Sequence, residues 1–153
     1  MTQQAPEKIW VDDKLRYFNR PVAGWPFRAY LRAKGIPDSE DYFIYDDTSL
    51  QRGHVGTWEL SNGRLYLIEI QGCHAVEDKP FLRGDEVTIR GIFHKDRVFF
   101  YWYTGDIIYE ELGDLRELYF FRGRHAKSAA GRLLVKFFIF IERLRYYYGP
   151  IPD

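Results

Sequence analysis

The stretch His54 to Ile70, HVGTWELSNGRLYLIEI, constrains this chain more than any other. Asn62-Gly63 tolerates positive φ at both central positions of a two-residue turn, so the alternating runs around it close a β-hairpin. Such a turn pairs Ser61 with Arg64, Leu60 with Leu65, Glu59 with Tyr66 and Trp58 with Leu67. Trp58, Leu60, Leu65 and Leu67 then share the core face, because side chains alternate along a strand. Unbroken alternation puts Val55, Thr57, Glu59, Tyr66, Ile68 and Ile70 on the other face. It also sets Glu69 opposite Gly56, on the Trp58 side. The second face is too apolar for water alone, so further sheet is expected around both sides of the hairpin.

The rest of the chain extends this pattern. KIWVD (8–12) and KLRYF (14–18) read as two short strands around Asp12-Asp13. Residues 19–37 carry Pro21, Gly24, Pro26, Gly35 and Pro37 and read as loop, with a helical turn at Phe27 to Ala33. In the acidic stretch DSEDYFIYDD (38–47), Tyr42 to Tyr45 reads as a strand whose charged flanks resist edge pairing. Gln71 to Gly84 reads as a loop. EVTIRGIF (86–93) and RVFFYWY (97–103) then read as a second hairpin around Lys95-Asp96. In that register Ile89 faces Trp102, Gly91 faces Phe100 and Arg90 faces Tyr101. Ile107 to Glu110 and Leu115 to Phe121 are strands flanking a turn at Gly113-Asp114, and RGRHAKSAAG (122–131) is a basic loop.

The last segment supports two readings. Leu133, Leu134, Phe137, Phe138, Ile141, Leu144 and Tyr148 fall on one helical face, with Ser128 as a cap. Val135, Ile139 and Phe140 spoil the opposite face, and the density of β-branched and aromatic residues favours a strand over 133–141. The fold expected is one domain over 1–153, mainly β with α+β as the variant. Its antiparallel sheet bends into a barrel-like or sandwich core with few helices.

Charge and cysteine usage narrow the function. Basic and acidic residues balance at 22 each, which disfavours a general polyanion binder, and no RNP-like motif is present, so nucleic acid is not the expected partner. The single Cys73 excludes an intrachain disulfide, and MTQQAPEK lacks the features of a cleaved leader, so a cytoplasmic protein is expected. No run approaches the ~18 apolar residues of a membrane span. No membrane partner is therefore expected.

Sites of chemistry are sparse. Cys73, His74 and the scattered His54, His94 and His125 show no metal-ligand spacing, so neither a metal nor another cofactor is expected. GRHAKS (123–128) departs from a phosphate loop where Ala126 replaces the second glycine. Arg122, Arg124, His125 and Lys127 can still grip a phosphate or an acidic surface. The plain alternative is a solvated loop paired with the acidic 38–47 stretch. Gly123 and Gly131 flank the loop, and the expectation is that it is mobile. Glu69, with Arg90 as a conceivable partner, and Tyr101 complete the binding candidates. No catalytic set stands out.

W-E-L-S-N-G-R-L-Y-L (58–67), W-Y-T-G-D-I (102–107) and E-K-I-W-V-D-D-K (7–14) resemble a group of small uncharacterised bacterial proteins. That group pairs a W-E-L/I-x-x-G-x-L-Y-L hairpin with a later W-Y-S/T-G segment. The resemblance covers residues 7–121; RGRHAKSAAGR and the aromatic tail depart from it. It implies a β-rich fold and transfers no active site.

The leading expectation is a non-enzymatic protein-binding domain, one form being a bacterial immunity or accessory protein that masks a toxin or effector. The alternative is a small-molecule or nucleotide-binding domain, or an enzyme, that uses an aromatic cleft and the basic loop around a phosphate-bearing ligand.

Overall fold

A computed structural model describes residues 6–19, 26–35, 54–76 and 79–148. The expected acidic strand at 42–45, and the acidic partner proposed for the basic loop, lie outside the described residues.

The N-terminal hairpin is β1 (Lys8–Val11) and β2 (Lys14–Tyr17), turned by Asp12 and Asp13, both at positive φ. Helix α1 (Pro26–Ala33) follows. The central hairpin is β3 (His54–Ser61) and β4 (Arg64–Val76). Its turn and near register agree with the alternation: Ser61 pairs with Arg64 and Trp58 with Leu67. Trp58, Leu65 and Leu67 are fully buried.

Beyond Leu67 the register shifts by one residue. Thr57 faces Glu69 and Gly56 faces Ile70, so Ile68 is the extra residue of a β-bulge. The bulge reverses side-chain parity on β4. Ile70 joins the core and Glu69 turns out to solvent opposite Thr57, so Glu69 does not face Gly56.

Two further expectations are corrected. Gln71 to Gly84 is not simply a loop, because β4 runs on to Val76 and pairs with β5 (Lys79–Glu86). The second hairpin is replaced by helix α2 (Ile89–Phe93) and a two-residue strand β6 (Val98–Phe99). The Thr88 hydroxyl accepts the Gly91 N–H at 2.9 Å and starts a helical turn where alternation suggested a strand. His94, at φ 59°, ends it. β6 then pairs with β4, Phe99 beside Tyr66 and Val98 beside Leu67.

β7 (Gly105–Glu111) and β8 (Asp114–Phe121) form a hairpin turned at Leu112-Gly113. A turn at Arg122-Gly123 leads to β9 (Arg124–His125). The chain ends in helix α3, Ala129–Tyr148, capped by the Ser128 hydroxyl, which accepts the Gly131 N–H at 3.0 Å. The strand lean for 133–141 is thereby corrected, and the helix reading with its Ser128 cap holds.

The sheet runs β2-β1-β3-β4-β9-β8-β7, with β1 parallel to β3 and the other neighbours antiparallel. Phe18 of the β2 end bridges to Tyr109 of β7, and the Asn19 N–H donates to the Ile108 carbonyl at 2.7 Å. These contacts bring the sheet close to a closed barrel. Inside it pack Ile9, Trp58, Leu65, Leu67, Ile107 and Phe120, with Phe27 and Leu31 of α1 and Ile89 of α2. The architecture is mainly β and barrel-like, as expected.

Candidate docking surface

Helix α3 lies on the outside of the β7–β8 hairpin, and the face by which it attaches is narrow. Among its described side chains only Val135 and Ile139, one turn apart, are buried; they pack on Tyr119 and Ala126. At 100° per residue, Leu133, Phe137, Phe140 and Leu144 point away from that seam, with Leu134, Phe138 and Ile141 beside them. Leu133 is 69% exposed and Phe137 61%, and Leu134, Phe138 and Phe140 are exposed too. This is the apolar face legible in the sequence, turned outward instead of inward. Its spoilers, Val135 and Ile139, are the residues that dock the helix.

The outward face meets the sheet at Phe121. Phe121, Leu134, Phe137, Phe138 and Ile141 line a shallow apolar groove of about 250 Å³, with Glu142 at its edge. Burying one such side chain is worth about 1.5–3 kcal/mol, so leaving these exposed forgoes several times that amount. Arg132, Lys136 and Arg143 form a basic strip along one flank of the helix, all exposed. From residue 122 to 148 the chain carries Arg122, Arg124, Lys127, Arg132, Lys136, Arg143 and Arg145 against the single acid Glu142. The balance of the whole chain hides this basic end.

The basic turn adjoins the apolar groove. Arg122 stands at φ 50° with its guanidinium 5.4 Å from the Phe121 ring centroid. Arg124 and Lys127 are exposed and His125 is half-buried. Burial, helped by the Lys127 charge, lowers the His125 pKa and so favours the neutral ring.

The turn is not held as the flanking glycines suggested. Gly123 is buried; its N–H donates to the Tyr103 carbonyl and its carbonyl accepts from Leu65, each at 2.7 Å. Gly131 belongs to the first turn of α3. The Tyr101 backbone is brought against this turn, whereas Arg90 lies on α2 and Glu69 on β4 opposite Thr57. Arg90 instead makes a two-pronged ion pair with Asp96, at 2.6 and 2.9 Å. It is not joined to Glu69 or set opposite Tyr101.

A cleft with aromatic walls lies between α1 and α3. Arg28, Arg32, Trp102, Tyr103, Thr104 and Phe138 line a space of about 210 Å³, crossed by an Arg32–Glu142 contact of 3.8 Å. That is below the ~300–1,000 Å³ usual for small-molecule sites. Among the described residues no group of His, Cys, Asp or Glu is placed to hold a metal. No helix among them is long and apolar enough to cross a membrane.

Two buried acids escaped the sequence reading. Glu7 accepts the Gly56 N–H and, at 3.4 Å, the Trp58 indole N–H inside the barrel. Asp106 is 2% exposed beneath α3, beside Glu117, Tyr119, Tyr103 and Arg143. Burial, then the hydrogen bond and charge of Glu117, push its carboxyl up to about 7, against a smaller downward pull from Arg143. The same burial and Glu117 push Tyr119 up to about 12, with Arg132 opposing.

An unfolded aspartate releases its proton near pH 4, while folded Asp106 keeps it to about pH 7. Stability should therefore fall as pH rises between about 4 and 7, then level off. Asp106→Asn should flatten that fall and melt higher than wild type at pH 8, with no gain at pH 4. Thermal melts across pH check this; parallel wild-type and variant curves would show that Asp106 is not the group.

Comparison with protein-family models, with curated proteins and with solved structures gives no match for this chain.

Proposed function

We propose that this chain is a non-enzymatic binding domain for another protein, docking it on the outward face of α3. The observation that carries the reading is a twenty-residue helix that buries only Val135 and Ile139 among its described side chains and presents Leu133, Leu134, Phe137, Phe138 and Phe140 to solvent. The strip of Arg132, Lys136 and Arg143 selects the occupant's chemistry: an apolar ridge flanked by acids. It also opposes pairing of two α3 faces, since Glu142 is the only acid between residues 122 and 148. Masking of an acidic toxin or effector is one form this activity takes.

The test is the Leu133→Glu/Phe137→Glu double variant. Both sites are exposed, so the fold should melt within about 2 °C of wild type. Affinity for the partner isolated with wild type, measured on purified components, should fall at least roughly 100-fold, because buried aromatic and aliphatic anchors dominate such interfaces. Unchanged affinity of the double variant would overturn the reading. So would a wild type that adsorbs to anionic vesicles and binds no protein stoichiometrically.

A further inference from the structure

A second surface lies on the open outer face of the sheet. Arg64 of β4 and Arg124 of β9 are direct cross-strand partners. Like charges so placed weaken a sheet unless an anion sits between them. Arg122 projects from the turn two residues before Arg124. All three are exposed, and among the described residues no carboxylate pairs with any of them. Arg97 nearby is different, for it is matched by Glu59 at 2.8 Å.

The guanidinia sit among rings. Arg64 lies 5.2 Å from the Phe99 centroid, as Arg122 lies beside Phe121. Phe99 is the cross-strand neighbour of Tyr66, and Tyr101 stands 6.3 Å from Phe99, more than half exposed. A guanidinium beside a ring keeps its N–H rim for an oxyanion. The face is an open sheet surface, which suits an extended ligand.

We infer that the face bearing Arg64, Arg122, Arg124, Phe99 and Tyr101 binds single-stranded nucleic acid, the guanidinia taking phosphates and the rings taking bases. An acidic protein would use the charges but has no need of the rings; a strand uses both. Zero net charge argued against nucleic acid from the sequence. The fold removes that objection by gathering on one face cations that no carboxylate pairs among the described residues.

The probe is a short fluorescein-labelled oligothymidylate, titrated with the full chain and followed by anisotropy across salt concentrations. Wild type should bind saturably, with log K falling against log salt with a slope of about −2 for three phosphate contacts. Arg64→Ala/Arg124→Ala should weaken binding at least roughly tenfold and reduce the slope by more than half. Tyr101→Ala should weaken binding by about fivefold or more with the slope unchanged, the sign of lost stacking. Leu133→Glu, outside the groove that adjoins Arg122, should leave the titration as it was. No binding at low salt would overturn the inference, as would an arginine variant with wild-type affinity and slope. Equal displacement of the oligonucleotide by polyglutamate and by unlabelled strand would also overturn it, reassigning the arginines to an acidic protein surface.

Discussion

Replacing Trp58 by alanine should lower the unfolding free energy by about 3–5 kcal/mol, the range for large aromatic truncations in cores. The indole is fully buried and meets Phe100 edge-on with centroids 4.7 Å apart. Its N–H also faces Glu7. The truncation therefore opens a cavity and removes a donor from a buried carboxylate, and the second effect moves the loss toward the top of that range. Trp58→Phe should cost less, since it fills most of the cavity and loses mainly the donor. Urea unfolding followed by circular dichroism measures both. A loss below about 1 kcal/mol for the alanine variant would mean that the ring does not occupy the core.

Gly123→Ala should be comparably severe for a different reason. A Cβ at this position would stand 2.5 Å from the Phe100 carbonyl oxygen and 3.1 Å from the Tyr101 Cα. Backbone cannot swing aside as a side chain can. The residue also sits at φ +76°, where alanine alone costs about 1–2 kcal/mol. With the steric cost added, about 2–5 kcal/mol should be lost. Gly63 provides the control: its φ is +72°, and nothing lies within 4 Å of its added Cβ. Gly63→Ala should lose only the conformational part. Equal losses at the two sites would show that the close approach to Phe100 contributes nothing.

What the sequence made legible follows the range of the forces involved. Asn62-Gly63 fixes its turn through local φ preferences, and the hairpin with its Trp58–Leu67 pair could be read directly. The bulge at Ile68 could not, because nothing in an isoleucine marks it as the unpaired residue. Thr88 was legible as a helix cap only in retrospect, since the alternation of Val87, Ile89 and Phe93 imitates a strand over so few residues. For α3 the β-branched and aromatic density of 133–141 favours a strand, and the helix that forms instead turns its longer apolar face outward: a helix carrying two apolar faces does not announce which one the domain will take. Of the basic site, Arg122 and Arg124 were visible as neighbours in sequence. Arg64, nearly sixty residues earlier, joins them only through the β4–β9 pairing.

The parallel pairing of β1 with β3 sets an order in time. Ile9 is synthesised early, yet its place is beside Trp58, and Lys8 and Thr57 are 49 residues apart. The β3–β4 hairpin needs only a two-residue turn and can form in about 1–10 μs. Closing the longer loop carries an entropic penalty of about 3 kcal/mol that β3 alone cannot offset. The first strand must therefore wait for a surface that is made later, and seating Glu7 against Gly56 and Trp58 becomes the closing step of folding. Pulse-labelled hydrogen exchange should protect amides of β4 before that of Ile9. Cargo fused ahead of residue 6 should retard this last phase while leaving the earlier one at its own pace.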